Sequence, residues 1–96
     1  MPTATARFET PNARRYLQQV CKHFAHKIEV DYTETEAHCA LPVGPATLKA
    51  DDAGLDMQVE AADAEGLARG EHVLWDHIKR FAFREEPADV VWRETA

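Results

Sequence analysis

The chain has 96 residues, 45% hydrophobic and 29% charged, with a formal net charge of -6, a size at which one core leaves little room for a deep cavity. No apolar run approaches the roughly 18 residues of a membrane span. The start MPTATARFET lacks a basic region followed by an apolar one, so the expectation is a single soluble domain over 1–96, without membrane insertion, in the cytoplasm, with Cys21 and Cys39 reduced.

Charge is unevenly distributed. Residues 7 to 27 carry Arg7, Arg14, Arg15, Lys22 and Lys27 against Glu9, whereas residues 28 to 71 carry eleven acidic side chains against Lys49 and Arg69. The acidic middle disfavours a phosphate backbone as partner.

In chain order, ATARFE alternates and predicts a short first strand over 4–8. Thr10 then reads as an N-cap and Pro11 as a first helical residue. Ala13, Tyr16, Leu17, Val20 and Phe24 follow at helical spacing, predicting a helix over 11–26. From Ile28 to Ala61 the period is two, and IEVDY, EAHCAL, ATLKA and LDMQVEA read as an antiparallel meander with one apolar face. A four-residue loop at PVGP pairs Leu41 with Ala46 and Cys39 with Leu48. Turns near Glu34 and at Asp52 pair Val30 with Cys39, Ala50 with Leu55 and Leu48 with Met57. The inward row is then Val30, Cys39, Leu48 and Met57, and the outward row is Asp31, His38, Lys49 and Asp56.

Asp63 caps a second helix over 63–83 with the stripe Leu67, Leu74, Ile78 and Phe81, and Gly70 on that face implies a close approach to the sheet or to the first helix. ADVVWRE supplies a last strand with Val90 and Trp92 on one side. The fold class is α+β, an antiparallel sheet with two helices on one face in the order β-α-β-β-β-β-α-β, resembling the fold of the TATA-box-binding protein. The likeness carries shape and not function.

The segment CKHFAHK, residues 21 to 27, holds a thiol and two imidazoles. At about 100° per residue, with Val20 at the centre of the buried stripe, His23 lies about 60° to one side, Cys21 about 100° to the other and His26 about 120° out on His23's side. Cys21 and His23 therefore cannot share an ion. His23 and His26 offer two ligands where structural zinc usually takes four. His77 flanks the second helix's stripe as His23 flanks the first, so the two can meet between the helices. His23, His26 and His77 form the candidate set for iron or another transition metal; a structural reading makes them boundary and helix-end histidines.

His38 falls between Asp31 and Lys49 on the open face, where cross-strand charge pairing accounts for it more simply than catalysis. That face carries Glu29, Asp31, Asp56 and Glu60 against Lys49, which argues against a DNA saddle. The outer face of the first helix, with Arg14, Arg15, Gln18 and Lys22, is a modest basic patch and a candidate partner surface. Trp75 and Phe83 are contact-surface candidates unless they fold back onto the core. No phosphate-binding glycine loop, hydrolase elbow or nucleotide fingerprint is present, so no cofactor is expected and enzyme activity is disfavoured.

RYLQQVCKHFAHK together with DHIKRFAFREE resembles a family of small bacterial proteins, domain of unknown function 2218, over nearly the whole chain. The resemblance carries no catalytic residues. It implies a setting beside components of siderophore-dependent iron uptake, including flavin-containing siderophore-interacting reductases. The expectation is a non-enzymatic accessory or interaction domain, with direct metal binding by the helix histidines as the alternative and nucleic-acid binding by the first helix as a weaker one.

Overall fold

The computed structural model describes residues 2–95, and its elements are β1 (Thr3–Glu9), α1 (Ala13–Phe24), β2 (Val30–Tyr32), β3 (Glu36–Leu41), β4 (Gly44–Ala50), β5 (Gly54–Glu60), α2 (Ala64–Phe81) and β6 (Arg93–Thr95). A 3-10 turn, Phe83–Glu85, follows α2. The expected α+β order holds. The strands form one antiparallel sheet in the order β2-β3-β4-β5-β1-β6. Both edge strands are three residues long, which limits the unpaired backbone the sheet offers to other chains.

Both helices cover the same face, α1 over β2 to β5 and α2 over β1, β4 and β5. The α1 stripe of Ala13, Tyr16, Leu17, Val20 and Phe24 is buried together with Cys21, and it meets Leu67, Leu74 and Ile78 from α2 above Leu48, Met57 and Cys39. Cys21 and Cys39 are free, buried thiols whose side chains hydrogen-bond each other across α1 and β3; the contact with Cys39 and burial both push the Cys21 thiol upward, away from ionisation. The Asp63 carboxylate caps α2 by accepting from the Gly66 N–H at 2.8 Å. Gly70 marks the close approach of α2 to the sheet, since a Cβ there would lie 2.5 Å from Val59 Cγ1.

Four details depart from the sequence reading. The hairpin between β3 and β4 turns on Pro42 and Val43 alone, so Leu41 pairs with Gly44, Cys39 with Ala46 and Ala37 with Leu48. Gly44 makes this possible: its φ is +149°, and a Cβ there would fall 2.1 Å from the Glu60 carbonyl oxygen. The shift of two residues preserves the parity of inward and outward side chains while changing their neighbours. The expected outward row therefore splits: Asp31 faces His38, which faces Thr47, while Lys49 lies between Glu36 and Asp56.

Secondly, α1 starts at Ala13 and ends at Phe24, inside the expected 11–26, and α2 ends at Phe81. The N–H groups of Lys27 and Ile28 both return to the Phe24 carbonyl at 2.9 Å, closing the helix before His26. Thirdly, only Arg93–Thr95 of the last segment pairs, with Thr3–Thr5 of β1. Val90 and Trp92 still pack on the core while Val91 is exposed. Of the two contact-surface candidates, Trp75 folds back onto the core, edge-on to Phe8 at 5.1 Å between centroids with its indole N–H donating to Asp89 at 3.0 Å, and Phe83 is exposed.

Fourthly, Thr10 is not the helix cap. Asn12 holds that position without a side-chain bond to the helix. The buried Thr10 hydroxyl accepts from the Asn12 N–H at 3.1 Å and donates to Glu85, 2.9 Å from both carboxylate oxygens. Glu85 also accepts from Asn12 Nδ2 at 3.1 Å and from the Tyr16 hydroxyl. Burial pulls the Glu85 carboxyl upward, but the donors Tyr16, Asn12 and Thr10 outweigh it and hold it below its ordinary value. Burial, and then Glu85, raise the Tyr16 phenol. One carboxylate thus ties the corner between β1 and α1 to the end of α2.

Tyr16→Phe and Glu85→Gln are each expected to cost about 1 to 2 kcal/mol in urea unfolding, because each leaves a hydrogen-bonding group of this cluster short of a partner. The double variant is expected to cost less than the sum, since the two side chains share one bond.

Candidate functional site

Three polar groupings stand apart from the core. The first lies between the helix ends, where the rings of His23 and His77 approach to 5.0 Å between centroids beside Phe24 and Phe81. His77 Nδ1–H donates to the Val73 carbonyl at 2.7 Å, which leaves Nε2 as its free acceptor. Loss of surrounding water, followed by His77, Lys27, His26 and Arg80, pushes the His23 imidazole below its ordinary value and favours the neutral ring. The structure brings His23 and His77 together. His26 lies exposed in the turn after α1 and acts on His23 through charge. Among the described residues no group of three or more His, Cys, Asp or Glu side chains is arranged to hold a metal ion.

The second grouping faces the C-terminal segment. A hollow of about 360 Å³ between α2 and that segment is lined by Glu71, His72, Trp75, Asp89 and Trp92. Glu71 Oε2 is buried and has no hydrogen-bond partner among the described residues. Burial, and then the Glu94 carboxyl on β6, push Glu71 up to about 7. Protonation of Glu71 removes its repulsion with Glu94, which returns when both are ionised.

The third grouping is the face of the sheet that no helix covers. Its outward side chains form two rows across the strands. One runs Asp31, His38, Thr47, Gln58, Thr5 and Arg93 over all six strands; the other runs Glu36, Lys49, Asp56 and Arg7. Over β4, β5, β1 and the C-terminal segment this face is hollowed into a concavity of about 530 Å³, with Val91 as an apolar wall. Arg7 is fully engaged, with its guanidinium donating to Glu9 at 3.0 Å, to Asp51 at 3.1 Å and to Asp56 at 3.0 Å. Asp51 is held at about 2 by Arg7 and by the N–H groups of Ala53 and Gly54. His38 Nε2 lies 3.3 Å from Glu36. Lys49 and Arg93 line the concavity and form no ion pair with another described residue.

The basic patch on α1 is partly spent within the molecule. Arg14 pairs with Asp52 at 2.9 Å, Arg15 lies 5.7 Å over the Tyr16 ring, Gln18 is half-buried and Lys22 is exposed. The concavity was not foreseen from the sequence. Alternation identified Thr47 and Gln58 as outward, but only pairing of β1 with β5 and of β6 with β1 sets Thr5, Arg7 and Arg93 beside them.

Comparison with known proteins bears on the whole chain. The model of a bacterial family described as "Uncharacterized protein conserved in bacteria (DUF2218)" matches residues 5–93. Among solved structures, the NMR structure of PA4090 from Pseudomonas aeruginosa is similar at 29% identity and a TM-score of 0.82, covering 97% of this chain and 96% of that one. No curated protein matches.

The Glu71 pair has a pH signature. Its folded value lies above the 4.5 of an unperturbed glutamate, so the stability it contributes is complete below about 4.5 and is lost as pH rises through about 7. Glu71→Gln is expected to leave the melting temperature near pH 4.5 little changed. At pH 8 it should raise stability by about 1 kcal/mol once solvent screening is counted. Thermal unfolding followed by circular dichroism at the two pH values checks both.

Proposed function

This chain belongs to the DUF2218 family of uncharacterised bacterial proteins, and we propose that it is a non-enzymatic binding domain in siderophore-dependent iron uptake that works through the open face of its sheet. The observation that carries the reading is the uncovered face with its concavity of about 530 Å³. A half-covered antiparallel sheet requires one polar face. It does not require that face to be hollowed, nor to present two cations with no ion pair among the described residues in a chain of net charge -6. Hollows of this volume lie in the range of small-molecule sites. The iron-uptake setting comes from the family resemblance, with a siderophore-interacting reductase as the partner to test.

In that test the tagged protein is mixed with a purified siderophore-interacting reductase and co-purified. Retention of the reductase is expected, with loss on Thr5→Glu/Thr47→Glu, which places two carboxylates on the open face, and no loss on Arg15→Glu/Lys22→Glu on α1. A folded wild-type sample that never retains the reductase overturns the partner assignment.

The pairing of His23 and His77 at 5.0 Å favours a second reading, in which the two imidazoles take a transition metal such as iron, with solvent or a metal-bound chelator completing the shell. Titration with ferrous iron or zinc, followed by heat release and imidazole chemical shifts, is then expected to perturb His23 and His77. No response below about 100 μM, an affinity of roughly 5.5 kcal/mol, sinks this reading.

A further inference from the structure

We propose that the concavity on the open face is a binding site for a small, elongated dianion, a di- or tricarboxylate or a phosphorylated carboxylate, held at its two ends by Lys49 and Arg93. The proposal rests on the reading of the open face as the working surface and gives that surface a ligand class.

Charge selects an anion. Three cations line the hollow, namely Arg7, Lys49 and Arg93, against the single carboxylate of Asp56. Asp56 is the group that would repel an anion, and Arg7 Nη1 holds it at 3.0 Å. Arg7 in turn is saturated by three carboxylates. The cations left to receive a ligand are Lys49 and Arg93. The acid opposite Lys49 on β3, Glu36, is turned to His38 at 3.3 Å instead.

Spacing selects two charges. Lys49 stands on β4 and Arg93 on β6, with β5 and β1 between them, which is three strand spacings of about 4.8 Å and an offset of two residues, or roughly 16 Å between Cα atoms. Both side chains line the same hollow from opposite ends. One compact anion does not reach both; a molecule with anionic groups several ångströms apart does. Between the two ends, Thr47, Gln58 and Thr5 form one continuous cross-strand row that ends at Arg93. Two hydroxyls and a carboxamide on that line offer donors and acceptors to a hydroxylated or amide-bearing middle. Charge-assisted bonds at the ends supply most of the affinity, and the neutral row supplies selection.

The experiment is an NMR titration of uniformly ¹⁵N-labelled protein in about 150 mM sodium chloride, chosen to screen diffuse attraction, with citrate, glutarate and acetate as probes. Saturable shifts at Thr5, Thr47, Lys49, Gln58 and Arg93 are expected, with citrate or glutarate binding about tenfold more tightly than acetate. Lys49→Gln and Arg93→Gln should each weaken the dianion about tenfold and bring it to the level of acetate. These exposed substitutions leave the core untouched, and an unchanged spectrum elsewhere verifies the fold. Equal affinity for acetate and the dianions, shifts that survive in the double variant, or no saturable shift by about 10 mM overturns the proposal. Anion binding without retention of the reductase removes only the partner; retention without anion binding removes only this inference.

Discussion

A sheet covered on one face by two helices has to send every second side chain into an apolar layer and every other one into water. Parity is therefore not negotiable, but register is. In the β3–β4 hairpin the turn closes on two residues because Gly44 adopts a φ of +149° against the backbone of Glu60. Had the loop taken four residues, the core would contain the same side chains in the same layer, while the bare face would present a different set of neighbours. The chemistry of the open face hangs on that turn. It puts His38 beside Thr47 in the long row and sets Lys49 opposite Glu36, apart from His38.

The covered face is secured from its ends as well as from its middle. Leucines, valines and Met57 supply the apolar burial, with Leu17, Val20, Leu48, Leu55, Leu67, Leu74 and Ile78 all fully inside. At one end Glu85 gathers the donors of Thr10, Asn12 and Tyr16 and fixes where the chain leaves α2. At the other end the helices bring His23 against His77. A partly desolvated carboxylate is held ionised when donors surround it and pushed towards its neutral form when another carboxylate does. Glu85 and Glu71 illustrate the two cases within one small protein.

The charge distribution has the same logic. An acidic molecule repels anions at long range, so a hollow that receives one needs cations of its own and nearby acids that are engaged elsewhere. Arg7 offsets part of the acidic charge by pairing with Asp51 and Asp56 beside the concavity. Lys49 and Arg93 are then free to face solvent. The proposed binding role follows from this division of labour among three cations.

Much of the fold was legible in the residues. Periods of 3.6 and 2 are imposed by backbone geometry on any chain that buries one face, so the element order, the helix stripes, the β2–β3 and β4–β5 registers, the Asp63 cap and the approach of α2 at Gly70 could be read directly. The convergence of His23 and His77 followed from each flanking its own stripe. What could not be read was decided by contacts between segments distant in sequence. Thr10 has the composition of a cap, but Glu85, 75 residues away, takes its hydroxyl. Trp75 has an amphipathic ring whose burial depends on Asp89 and Phe8. Local pattern states which side of a strand faces water and is silent on which strand lies next to it. The placement of β1 between β5 and β6 brought Thr5, Arg7 and Arg93 to the concavity, and that was settled only when the sheet assembled.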